Sequence, residues 1–136
     1  MRSLINDTPA ARPDAVLRHF GDKLTFETDC WEVHESLKAP APDFVVIDVR
    51  GPGEFAQAHV PGAINIPYLQ ITASEIAQCP RKTTFVVYGA GSHCNRADKA
   101  AIRLAELQLP VKIMVGGLSG WVEEAFPVDA AIGIAR

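Results

Sequence analysis

The sequence is short of most features that would mark a specialised class. Its three cysteines, Cys30, Cys79 and Cys94, are odd in number and widely spaced. That excludes a disulfide framework and a zinc pattern, and it suits free thiols in a reducing cytoplasm. No apolar run approaches the ~18 residues of a membrane span. The first residues, MRSLINDTPAARPD, have no apolar core of a signal peptide. A net charge of −3 and a pI near 5.8 give no bulk attraction for nucleic acid or an anionic membrane, so neither is expected as a partner. Internal repeats, low-complexity tracts and long charge blocks are absent. So are GxGxxG and Walker patterns, and no His/Cys set beyond the adjacent His93–Cys94 has metal-ligand spacing. Neither a cofactor nor a metal is expected.

What is present is an ordinary globular composition, 48% apolar and 21% charged over 136 residues, enough for one domain with a real core. Residues 1–12 read as a polar tail and 13–136 as the domain. ARPDAVLRHFGDKL predicts a helix with Val16, Leu17 and Phe20 as its apolar residues and Gly21 ending or loosening it. TFETD is strand-like. CWEVHESLKA predicts a helix capped by Asp29, with Trp31, Val33 and Leu37 turned inward. FVVIDVR, TTFVVYG and PVKIMVGG are near-continuous apolar runs, the pattern of strands buried on both faces. GPGEF leads into a short helix, and Pro61-Gly62 marks a turn before a strand in HVPGAINIPY. ITASEIAQC predicts a helix capped by Thr72 or Ser74. NRADKAAIRLAEL predicts the clearest helix, capped by Asn95, with Ala97, Ala100, Ala101, Leu104 and Ala105 on one side. WVEEAF predicts a closing helix.

Strands alternating with helices imply an α/β domain with a parallel sheet covered on both faces. Sites on such sheets form at the carboxyl ends of the strands. Three loops therefore converge as candidates: those after FVVIDVR, FVVY and VKIMV.

FVVIDVRGPGEFAQAHVPGAINIP resembles the first signature of rhodanese-like domains, and GGLSGWVEEAFPV resembles the second. The resemblance spans roughly residues 24–128. It implies a single domain with a parallel sheet of about five strands flanked by helices on both faces. It also implies an active-site loop after a central strand. There, a cysteine takes sulfane sulfur from thiosulfate or a persulfide and passes it to cyanide or another thiol. The partners so implied are a small sulfur-containing anion or persulfide donor and a thiol acceptor. A protein partner is left open. The nucleophile position matches Gly89, after Tyr88, which departs from the family and leaves enzyme status open. The loop resembles a subgroup with a second cysteine before Asn, here Cys94-Asn95. Gln108 stands where the family commonly ends this helix with glycine.

The chemistry of the loop needs a thiolate and a holder for an anionic persulfide. Small residues let backbone N–H groups turn inward at a helix N-terminus, where the helix dipole adds positive potential. Ala90, Gly91, Ser92, His93, Asn95 and Arg96 are the candidate loop and substrate-binding residues, and Cys94 is the candidate nucleophile. A helix N-terminus and a nearby cation lower a thiol's pKa. The alternative for Cys94 is a residue that only packs the loop. Arg96 can steer an anionic donor, or can be a solvated first-turn side chain. Asp48 and Arg50 are expected to support the loop, and Glu54 to serve a turn or helix cap. His59 is expected to be structural, His93 exposed. Trp31, Trp121 and Phe126 are expected in the core, with Cys30 and Cys79 as packing residues. Counting five residues on from Cys94 lands on Ala100, so the Cys-x5-Arg arrangement of the related cell-cycle phosphatases is missing. Three functional readings remain: a sulfurtransferase or persulfide carrier, a catalytically silent domain binding an anion or protein, and a redox-responsive thiol protein acting through Cys94.

Overall fold

The computed structural model describes residues 1–82 and 84–131. In chain order these form α1 (Pro13–Phe26), β1 (Glu27–Asp29), α2 (Cys30–Ser36), β2 (Phe44–Asp48), α3 (Pro52–Gln57) and β3 (Ile64–Asn65). There follow α4 (Ala73–Ile76), β4 (Thr84–Tyr88), α5 (Arg96–Glu106), β5 (Val111–Val115) and α6 (Gly117–Glu123). The sheet is parallel throughout, in the order β1-β5-β4-β2-β3. Among the described residues no helix is long and apolar enough to cross a membrane. Residues 1–12 are exposed along their length.

The continuous apolar runs are explained by two cores, one on each face of the sheet. Successive strand residues point to opposite faces. Val45, Ile47, Phe85 and Val87 therefore meet Ala97, Ala100 and Leu104 of α5 and Ile76 of α4. Val46, Val86 and Tyr88 meet Cys30 and Val33 of α2 and Trp121 of α6. Asp29 caps α2 by accepting from the Glu32 N–H at 2.8 Å, and Thr72 caps α4 from Glu75 at 3.3 Å.

Several expectations fail. α1 runs through Gly21 to Phe26 and takes in Thr25 and Phe26, which leaves β1 only Glu27–Asp29. Pro13 starts it, and Lys23 pairs with Glu27 across its last turn. None of its residues is buried; Leu17 and Phe20 face solvent. Trp31 is 60% exposed, because Cys30 and Val33 carry the contact of α2 with the core. Asn95 makes no cap bond with its side chain, and Ala105 is exposed. β5 is mostly half-buried, with Val115 exposed. The closing helix begins earlier than expected, at Gly117.

Candidate active site

The three strand ends expected to converge do so. β4 ends at Tyr88, and Gly89–Asn95 lead into α5. After β5, Gly116 and Gly117 take positive φ, +91° and +57°, and open α6. A Cβ on Gly117 would lie 2.5 Å from the Gly89 carbonyl oxygen, so only glycine lets the two loops close on each other. The Leu118 and Ser119 N–H groups then donate to the carbonyls of Gly89 and Ala90 at 3.0 and 2.9 Å, and Ser119 Oγ donates to Ala90 O at 2.8 Å. In a trans peptide the N–H points opposite to its carbonyl. Anchoring the Gly89 carbonyl to α6 therefore turns the Ala90 N–H the other way, on the side of the Cys94 sulfur, where it favours the thiolate.

Cys94 is the half-buried centre of this arrangement. The turn Gly91–Cys94, closed by a 3.0 Å bond from the Cys94 N–H to Gly91 O, swings its side chain back toward residue 89. Its Sγ lies 3.7 Å from the place a Cβ on Gly89 would occupy. Arg96 Nε donates to it at 3.1 Å, and the Arg96 backbone N–H also favours its thiolate. Burial raises the thiol's pKa, but the Arg96 side chain and the two backbone N–H groups outweigh it, and the net shift is downward. The other thiols go the opposite way. Burial and Asp29 push Cys30 up to about 11, and burial and Glu75 raise Cys79. An open cleft of about 500 Å³ lined by Ala90, Ser92, His93, Asn95, Arg96 and Asp98 gives access to Cys94. A narrower space of about 220 Å³ runs from Gly89 and Cys94 toward Ile113 and Met114.

Arg96 reaches further than the sequence suggested. Its Nη1 and Nη2 donate to Glu54 Oε1 and Oε2 at 2.8 and 3.0 Å. Glu54 also accepts from the Gly51 N–H at 3.3 Å, so the expected cap role is real but incomplete. The arginine pulls its carboxyl down to about 2. Nothing in the local pattern of GPGEF marks this partnership, which joins residues 42 apart. His93 and Asn95 are exposed on the cleft wall, and neither meets Cys94 in a side-chain hydrogen bond.

Asp48 and Arg50 lie under the loop. Arg50 Nε and Nη2 bond the Asp48 carboxylate at 3.0 and 2.7 Å, and both residues are buried. Tyr88 donates to Asp48 Oδ2 at 2.5 Å and accepts from the Val60 N–H at 3.0 Å. Because Asp48 and Tyr88 are paired in register, this brace fixes the end of β4 from which the loop springs. His59 stacks on Phe55 and bonds its carbonyl at 2.8 Å, a structural use of the ring.

A five-stranded parallel sheet, covered by helices and with its candidate site at the carboxyl ends of the strands, defines a class of α/β domain. Within that class the assignment is specific: the model of the rhodanese-like domain matches residues 31–124, and the chain belongs to that family. The chain is 35% identical over 94 residues to thiosulfate sulfurtransferase 16, chloroplastic, of Arabidopsis thaliana, covering 62% of this chain and 78% of that protein. It is 32% identical over 89 residues to the HTH-type transcriptional regulator Rv0324 of Mycobacterium tuberculosis, 65% of this chain but only 39% of that protein's length. The crystal structure of the BH2092 protein from Bacillus halodurans superposes with a TM-score of 0.84 at 30% identity, covering 89% and 88% of the two chains.

Proposed function

We propose that this domain is a sulfurtransferase of the persulfide-carrier type in which Cys94 takes over the sulfur-bearing role of the thiol expected at position 89. The observation that carries this reading is the place of its sulfur. Cys94 Sγ stands 3.7 Å from where a Cβ on Gly89 would begin, with Arg96 Nε and the Ala90 N–H directed at it. A thiol from five residues down the chain thus enters the loop the family uses. The thiolate attacks the outer sulfur of the donor. A new S–S bond forms at Cys94, the donor's own S–S bond breaks, and its electron pair leaves with the remainder. An acceptor thiolate then attacks the outer sulfur on Cys94, and the Cys94 thiolate leaves. Transfer conserves electrons and needs no cofactor. The lowered thiol pKa raises the thiolate fraction that begins the cycle, and the plant relative's name supplies the reaction class.

The test is intact mass after incubation with a sulfane-sulfur donor. We expect a gain of ~32 Da, one sulfur, located on Cys94 and absent in Cys94→Ser. No adduct in the wild type, with sulfur uptake appearing only in Gly89→Cys, would replace this reading with a silent domain. Peroxide oxidation of Cys94 without any sulfur uptake would replace it with a redox-responsive thiol.

A further inference from the structure

A persulfide on Cys94 carries one sulfur more than the thiol, and that anionic sulfur needs room and hydrogen-bond donors. Two spaces adjoin Cys94. The open cleft is walled by Ser92, His93 and Asn95, all exposed, so a sulfur turned there stands in solvent. The narrower space of about 220 Å³ is different: Gly89, Gly91 and Ala97 line it together with Ile113 and Met114, and none of these lines the cleft. Gly91 and Ala97 are buried, and among the described residues neither backbone N–H meets an acceptor. Buried N–H groups without a partner are rare. Ala97 is the second residue of α5, where an N–H has no acceptor within the helix and the dipole favours an anion. Two donors are thus left over on the side of Cys94 that the cleft does not reach.

Residue 89 decides whether an outer sulfur can reach them. A Cβ on Gly89 would lie 3.7 Å from Cys94 Sγ and 3.7 Å from the Ala97 nitrogen, next to both the thiol and the helix start. The outer sulfur of a persulfide lies ~2.05 Å from the inner one. Turned toward residue 89, it would come closer to a methyl carbon there than the ~3.5 Å of ordinary contact. Resting on the assignment of sulfur carriage to Cys94, we infer that Gly89 is a positioning residue. By bearing no side chain, it admits the outer sulfur of a Cys94 persulfide to the N–H groups of Gly91 and Ala97, while Arg96 Nε holds the inner sulfur. Position 89 then serves sulfur carriage through the room it leaves rather than through a thiol.

The experiment sets Cys94 against free cysteine for one sulfur. The protein is equilibrated with mixtures of cysteine persulfide and cysteine, and the fraction bearing the ~32 Da gain is read by intact mass. As the S–S bond on Cys94 forms, that of cysteine persulfide breaks and its pair leaves on the cysteine thiolate, so no oxidant is needed. Gly89→Ala is expected to lower the exchange constant ~10-fold, the worth of a hydrogen bond to a charged group. Residue 89 has no positive φ and the added Cβ meets only ordinary contacts, so the fold is kept. Alkylation of Cys94 by iodoacetamide at pH 7 is expected to be unchanged in this variant, because the thiol keeps Arg96 and the open cleft. Gly21→Ala, in α1 with nothing within 4 Å of the added carbon, is expected to leave both readings at their wild-type values. Equal exchange constants in wild type and Gly89→Ala overturn this inference while sulfur carriage by Cys94 stands. A drop in loading matched by equally slowed alkylation also overturns it, since the methyl would then have disturbed the thiol itself. No adduct on Cys94 of the wild type overturns both.

Discussion

Cys94 and Cys30 are the same chemical group set in opposite fields. Cys30 is buried, facing the carbonyls of Val115 and Gly117 at 3.6 Å, and carbonyls repel a thiolate. Cys94 faces N–H donors and a guanidinium. Replacing Arg96 with Ala removes the cation while leaving the two backbone donors. The pH midpoint of Cys94 alkylation by iodoacetamide is expected to rise toward the ordinary thiol value of 9.0, with alkylation at pH 7 slowed ~10-fold. A midpoint that stays put would show that the backbone alone sets the thiol. The same variant frees Glu54, whose titration is expected to return from about 2 toward 4.5. The sign follows from linkage. A carboxyl lowered on folding contributes stability that is complete above its unfolded value and is lost as pH falls through the folded one. The ion pair is therefore expected to weaken only in strong acid. At this scale Cys94 and Arg96 were legible because they sit in one loop. Glu54 was not, since its role depends on a contact between α3 and α5 that no spacing encodes.

α5 shows what a pattern can specify and where it stops. Its inward face follows the 3.6-residue period through Ala97, Ala100 and Leu104, but Ala105 lies just past the edge of that face and is exposed. Its end is closed by a pair of bonds, Leu109 N–H to Leu104 O at 3.1 Å and Gln108 N–H to Ala105 O at 2.9 Å. That is the Schellman arrangement, and it places Gln108 at φ +63°. Glycine meets this conformation without the Cβ clash that Gln bears. Gln108→Gly is accordingly expected to stabilise the domain by ~1 kcal/mol, read as a higher urea midpoint with an unchanged slope. A lower midpoint would mean that the glutamine side chain contributes more than its strain costs. The departure from the family's glycine was visible in the sequence. The exposure of α1 was not: Leu17, Phe20 and Leu24 have helical spacing suited to a core, yet the sheet edge does not fold over them. Periodicity says that a helix has an apolar side, and only the tertiary arrangement decides whether anything covers it.

Across the whole molecule, alternation of buried strands with helices was enough to predict the parallel sheet and its two covered faces, and the carboxyl-end rule pointed to the candidate site. The cradle's persistence without a thiol at residue 89 was not readable from the sequence, because it is built by backbone groups held from outside the loop. α6 holds the carbonyls of Gly89 and Ala90, and the Asp48–Arg50–Tyr88 brace holds the strand beneath. None of these contacts uses a side chain at 89. Gly89→Cys should therefore be accepted with a stability change below ~1 kcal/mol: a Cβ there meets only ordinary contacts, 3.7 Å from the Ala97 nitrogen and 3.7 Å from Cys94 Sγ. The new thiol would stand beside Cys94 within reach of a disulfide. Treating this variant with one equivalent of peroxide is expected to remove two hydrogens, a loss of ~2 Da, as the two thiols are oxidised to a disulfide and peroxide is reduced to water. Dithiothreitol should reverse it, and adding Cys94→Ser should prevent it. Wild type, which has no thiol at 89, should instead gain oxygen at Cys94. If the Gly89→Cys variant gains oxygen at both thiols and forms no disulfide, Cys94 does not enter the loop as described, and the case for its inheriting the family's sulfur position falls with it.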